Sequence, residues 1–185
     1  MGDAVELVNN FNVEKVIFNC GTYNNLEQEL INVLNNKKIV YTSCIKKLKY
    51  GNYTLHFLNT KIYDNENDNS SVIYMESNKL KFLFMGDAST IRENDIIEKY
   101  NLNNIDFLKV GHHGSDTSSS EKFINVIKPE YSIISVGKKN RYGHPKETVL
   151  DKLEKNNSKI YRTDIDGSIE IKIKNYGYSI ETCKP

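Results

Sequence analysis

The stretch LKVGHHGSDTSSS (Leu108–Ser120) decides how this chain is read. An apolar run ends in glycine, two of the chain's four histidines stand side by side, and small hydroxyl residues follow. In an extended strand neighbouring side chains point to opposite faces. The spacing therefore predicts that one of His112 and His113 faces a site, while the other supports it or caps the turn at Gly114. Ser115, Thr117 and Ser118 offer hydroxyls to a phosphate, although capping of the next helix explains Ser118 equally well.

Two neighbouring segments repeat the pattern of an apolar strand running into polar residues. In FLFMGDAS (Phe82–Ser89) the strand reaches Gly86 and then Asp87. Strand ends are where sheets place functional carboxylates, and glycine permits close approach; a simple turn or helix cap is the competing reading of Asp87. In SVGKKNRYGHP (Ser135–Pro145) a strand ends at Val136, and Lys138, Lys139, Arg141 and His144 follow just before a helix. Cations beside a helix N-terminus suit an anion; a solvated basic turn is the alternative. Three successive strand ends thus deliver an Asp, a His pair and a His with cations. That recurrence is more specific than any one member.

The whole chain sets bounds. At 185 residues it is long enough for one domain with a substantial core, and the expected organisation is a single domain over 1–185. Lys plus Arg is 25 against 24 Asp plus Glu, so no global field favours nucleic acid or membrane, and phosphate binding needs a local cluster. No apolar run approaches the ~20 residues of a membrane span, and the N-terminus lacks a signal peptide's pattern, so the expected location is cytoplasmic. Cys20, Cys44 and Cys183 are odd in number, widely spaced and without a C-x-x-C pair, which predicts reduced, structural thiols.

Helices are expected at 3–11, 24–36 and 91–100, and strands at 14–19, 38–42 and 53–59, with a hairpin joined by SNK (Ser77–Lys79). Capping boxes are predicted at Thr90/Glu93 and Ser118/Glu121. The second opens a helix ending before Pro129, and His144-Pro145 opens another. Strands at YSIISV, KIYRT, SIEIKIK and YSIETC, with turns at DIDG and NYG, complete a layered α/β or α+β pattern. DNENDNSS (Asp64–Ser71) alternates oxygen ligands but lacks the glycine and terminal acid of a calcium loop, and reads as a polar loop. His56 reads as an ordinary strand residue.

Taken in order, NDNSSVIYME, KFLFMGDAS, LKVGHHGSDTSSSEKFINVIKPEYSIISVG, NRYGHPKETVLDKL and YRTDIDGSI resemble the metallo-β-lactamase fold. The likeness is to the hydrolase domain of ComEC-type competence proteins and their stand-alone relatives, and is dense over Asn67–Ile173. It implies a four-layer αββα sandwich with part of the N-terminal sheet missing, and a metal site along one sheet edge. By the resemblance Asp87 bridges two divalent cations, zinc or manganese. His113, in preference to His112, binds the second cation, and His144 contacts substrate or protonates the leaving group. Ser115, Lys138, Lys139, Arg141 and Asn69 fall on the substrate side. The implied reaction is phosphodiester hydrolysis, on DNA or a small phosphodiester, by a metal-activated hydroxide.

The chain departs from the family pattern at two places. The His-x-His-x-Asp-His loop has no counterpart, and Asn67–Ser70 occupies the region of the usual third metal histidine. Asp87 plus one histidine is two ligands, where catalytic zinc usually has three. The opening MGDAVEL fits a start just past the metal loop, which predicts exposed apolar surface, self-association or a missing segment. The alternative is a metal-free member of the fold serving as a binding domain.

Overall fold

The computed structural model describes residues 3–174 and 176–184. The opening Met1-Gly2 and Asn175 of the expected NYG turn lie outside the described residues. The chain separates into two compact units, residues 1–45 and 46–185.

The first unit holds α1 (Ala4–Asn10), β1 (Lys15–Phe18), α2 (Asn25–Lys37) and β2 (Val40–Ser43). Helix α2 starts on a capping box, in which Asn24 accepts from the Glu27 amide and Glu27 accepts from the Asn24 amide. It stops at Lys38, which takes a left-handed conformation. Val8, Phe18, Leu30, Ile31 and Leu34 form the core. Strands β1 and β2 are parallel, with Phe18 opposite Ser43, so the chain leaves both at the same end. There Cys20 and Cys44 lie 4.4 Å apart at Cα and form a disulfide. This corrects the expectation of three reduced cysteines: the crossover through α2 hides a spatial pair behind a separation of 24 residues. Cys183 is free and exposed.

The second unit is built on a seven-stranded sheet, β3 (Lys47–Tyr50), β4 (Tyr53–Phe57), β5 (Ile73–Ser77), β6 (Leu80–Phe84), β7 (Phe107–Lys109), β8 (Tyr131–Ile134) and β9 (Lys159–Arg162), in sequential order. Strands β3 to β6 pair antiparallel, and β6 to β9 pair parallel. The expected SNK link is a two-residue turn in which Asn78 and Lys79 both have positive φ, the geometry that matches strand twist. Parallel neighbours need crossovers, supplied by α3 (Thr90–Lys99), α4 (Glu121–Ile127) and α5 (Glu147–Lys155). A short turn of helix, α6 (Thr163–Asp166), then leads to the hairpin of β10 (Ser168–Lys174) and β11 (Gly177–Cys183).

Alternation along β6 and β7 splits the side chains between two layers. Leu83 and Leu108 join Ile96, Phe123, Ile124, Ile127, Val149 and Leu153 in the helix-side core. On the other face Phe82, Phe107 and Tyr131, aligned by register, stack at 4.8 and 5.1 Å. Tyr178 of β11 meets Phe107 and Tyr131 edge-on, so the hairpin covers that face. The mixed α/β architecture with a central many-stranded sheet is as expected.

Three local expectations are corrected. Helix α3 is capped by Ser89, whose hydroxyl accepts from the Ile91 amide, and not by a Thr90/Glu93 box. Helix α4 is capped by Ser120, while Ser118 is buried under its own turn. Helix α5 begins at Glu147 after Lys146, so His144-Pro145, a cis peptide, precedes the helix without opening it.

Candidate functional site at three parallel strand ends

In parallel sheets the C-terminal strand ends share one edge, where ligands bind. Register places Phe84 beside Lys109 and Lys109 beside Ile133, so the segments leaving β6, β7 and β8 are neighbours. After β6, Gly86 has φ +58°, and a Cβ there would sit 2.8 Å from Ser70 Cβ. Glycine is therefore required. The Asp87 amide donates to Ser70 Oγ at 3.1 Å. Its half-buried carboxylate accepts no hydrogen bond among the described residues. The Lys109 ammonium, lowered in pKa by burial, is the cation that feels the Asp87 charge.

The Gly86 carbonyl accepts from the His112 amide at 2.9 Å, which ties the second strand end to the first. Residues 111–114 form a tight turn with His112 at φ 45° and His113 at φ 56°. Strand alternation therefore does not govern the pair, contrary to the sequence expectation, because both histidines have already left β7. His112 Nδ1 lies 3.2 Å from Thr117 Oγ1. His113 Nδ1 lies 2.6 Å from the Ser135 carbonyl. A carbonyl only accepts, so His113 donates from Nδ1, and neutral His113 keeps its lone pair on Nε2, the form of an oriented ligand.

The third strand end packs on the second. A Cβ at Gly114 would fall 2.6 Å from Pro145 Cβ, and the Lys146 amide donates to the Gly114 carbonyl at 2.9 Å. The Asn140 amide group brackets His144, with Oδ1 accepting from its backbone NH and Nδ2 donating to its carbonyl, both at 2.8 Å. The His144 ring lies 6.0 Å from the His112 ring and 5.9 Å from that of Tyr142, nearly parallel to the latter. His144 Nδ1 is buried without a hydrogen-bond partner among the described residues. Burial first, then Lys146, His112 and His113, hold its pKa below the usual 6.5. A pocket of about 210 Å³ opens here, lined by His113, Val136, Gly137, Asn140, Tyr142 and His144.

The other expected residues are placed differently. Ser115 is 4% exposed, and its hydroxyl contacts Thr117 and Asp116 within the turn. Asn69 is buried, its amide accepting from the Tyr63 backbone NH and donating to the Tyr63 carbonyl. Lys138, Lys139 and Arg141 are exposed, and Arg141 donates to the Tyr142 hydroxyl. Sequence reasoning missed Ser70, which braces Asp87, and Asp68, which accepts from the Ser89 amide. Alternating polar residues in a loop gave no signal for either. His56 is an exposed residue of β4, 6.3 Å from the Tyr74 ring.

The residues present do not fit a complete metal site. Among the described residues the Asp87 carboxylate accepts no hydrogen bond and His113 is oriented, yet no three His, Cys, Asp or Glu side chains there form a group able to hold an ion. A catalytic zinc needs about three protein ligands.

Residues 46–138, half of the chain, match the family model of the Metallo-beta-lactamase superfamily. The chain belongs to that superfamily. The chain is 30% identical over 180 residues to ComE operon protein 3 of Bacillus subtilis, covering 95% of the chain and 23% of the relative. It is 37% identical over 106 residues to Competence protein ComA of Neisseria gonorrhoeae, covering 57% and 15%. Recombination protein 2 of Haemophilus influenzae is 35% identical over 106 residues, covering 57% and 13%. The chain thus spans less than a quarter of the length of these relatives. No helix among the described residues is long and apolar enough to cross a membrane.

Proposed function

We propose that this chain is the substrate- and proton-handling part of a hydrolase acting on phosphodiester bonds, in DNA or a small phosphodiester. The observation that carries the reading is the arrival of Asp87, His112, His113 and His144 at neighbouring parallel strand ends. His144, biased towards its neutral form, suits exchange of a proton with an attacking water or a leaving oxygen. Lys138, Lys139 and Arg141 supply positive charge for the phosphate. Relatives named for competence and recombination support a nucleic-acid substrate.

A divalent zinc or manganese ion is the cofactor the superfamily implies, and it would supply Lewis-acid polarisation of the phosphoryl oxygen. Asp87 and His113 fall short of a full ligand set, so a complete site needs donors beyond the described residues. The Cys20–Cys44 disulfide supports an oxidising environment for residues 1–45.

The test is release of p-nitrophenol from bis(p-nitrophenyl) phosphate at millimolar Mn²⁺ or Zn²⁺. Slow turnover that Asp87→Ala and His144→Ala each reduce by roughly 10²-fold is expected. Turnover indifferent to both substitutions contradicts the site. That no three-donor group occurs among the described residues favours a second reading, a metal-free binding domain, and no turnover at any metal concentration would select it.

A further inference from the structure

The pocket beside His144 has a wall that proton transfer does not use. Tyr142 is 59% exposed, although its ring lies nearly parallel to His144 and the Arg141 guanidinium stands 4.9 Å from its centroid. The ring is held in place. Lys146 Nζ donates to the Tyr142 carbonyl at 2.9 Å, and Asn140 fixes the loop on either side of His144. Val136 and Gly137 line the same pocket, and a Cβ built on Gly137 would meet nothing within 4 Å. The β8 end beneath is pinned by Thr163, whose hydroxyl accepts from the Val136 amide and donates to the Val136 carbonyl. A rigid, exposed aromatic face thus adjoins an open apolar pocket, an arginine and two further exposed lysines, Lys138 and Lys139.

Resting on the phosphodiester reading above, we propose that Tyr142 is a stacking platform for a nucleobase next to the bound phosphate, so the site selects an unpaired, base-bearing phosphodiester. Aromatic faces stack on any base with little sequence preference, and cations alongside follow the backbone. A base paired inside a duplex has no free face for Tyr142, which makes single strands or dinucleotides the preferred form.

The chain has no tryptophan, so Tyr142→Trp introduces a single fluorescent reporter at the platform. It is titrated with a ten-residue oligothymidylate, a dithymidine phosphodiester, an abasic oligomer of the same length, and a ten-base-pair duplex. The expected result is quenching by the two base-bearing single-stranded probes, with the abasic oligomer and the duplex bound roughly 5-fold or more weakly. In the otherwise unchanged chain, Tyr142→Ala weakens oligothymidylate binding by roughly 5- to 150-fold without affecting the abasic oligomer, and Tyr142→Phe restores it. Dithymidine binding as tightly as the ten-mer assigns the pocket to dinucleotides, and stronger binding of the ten-mer assigns it to strands; either supports the platform. Equal affinity for base-bearing and abasic oligomers overturns the platform and leaves the phosphodiester reading standing. Binding of neither overturns both.

Discussion

His144 carries the most specific electrostatic statement at the scale of single residues. Its imidazole is partly buried, faces three positively charged or chargeable neighbours, and has a pKa held below 6.5. The folded chain therefore favours the neutral ring, and protonation completes only at a pH below the ordinary range. An NMR titration of the His144 ring is expected to show a midpoint below 6.5, moving up in Lys146→Ala as that charge is removed. A midpoint at or above 6.5 would contradict the burial argument. The residues of the candidate site were legible because Asp87 and the histidine pair sit where an apolar run stops, after Met85 and Val110, and His144 closes the polar loop that follows Val136. Ser70, Asp68 and Tyr142 were not, because their roles depend on loops folding back against strand ends distant in sequence.

Between elements, one carboxylate links two helices. Glu93 of α3 is 1% exposed and accepts from the amides of Ser119 and Ser120, at the start of α4. That engagement explains why the predicted capping boxes failed: Glu93 serves the next helix, and each helix takes a serine cap of its own. Burial is the largest influence on Glu93 and raises its pKa from 4.5 to about 6. A raised carboxylate pKa favours the protonated form in the folded state, so its contribution is full below 4.5 and is lost as pH rises through about 6. Chemical denaturation of the native chain against Glu93→Gln should show the native chain losing about 2 kcal/mol relative to the variant across that window. Parallel pH profiles would refute it. Strand periodicity read the elements well where both faces are buried, as in β6 to β8. It failed for His112 and His113, because left-handed residues turn the chain before alternation applies.

At the scale of the whole molecule, the two units carry different constraints. Residues 1–45 have a small core of Val8, Phe18, Leu30, Ile31 and Leu34 among the described residues, and their disulfide closes the β1–α2–β2 crossover. Peptide mapping without reductant should recover Cys20 joined to Cys44. Reduction should lower the stability of this unit by about 3 kcal/mol, whereas free thiols at both positions in unreduced protein would contradict the pairing. Composition pointed the wrong way here, since pairing is set by the parallel register and not by cysteine count. The layered α/β order was legible because helices and strands alternate along the chain. The completeness of the metal site was not a matter of pattern but of donors.

The central claim is that three neighbouring strand ends carry Asp87, His112, His113 and His144, and that among the described residues these do not make a three-donor metal set. Native mass spectrometry after incubation with Zn²⁺ or Mn²⁺, then dialysis, tests it most directly. The account predicts less than one tightly retained divalent ion per chain; two retained ions per chain would contradict it.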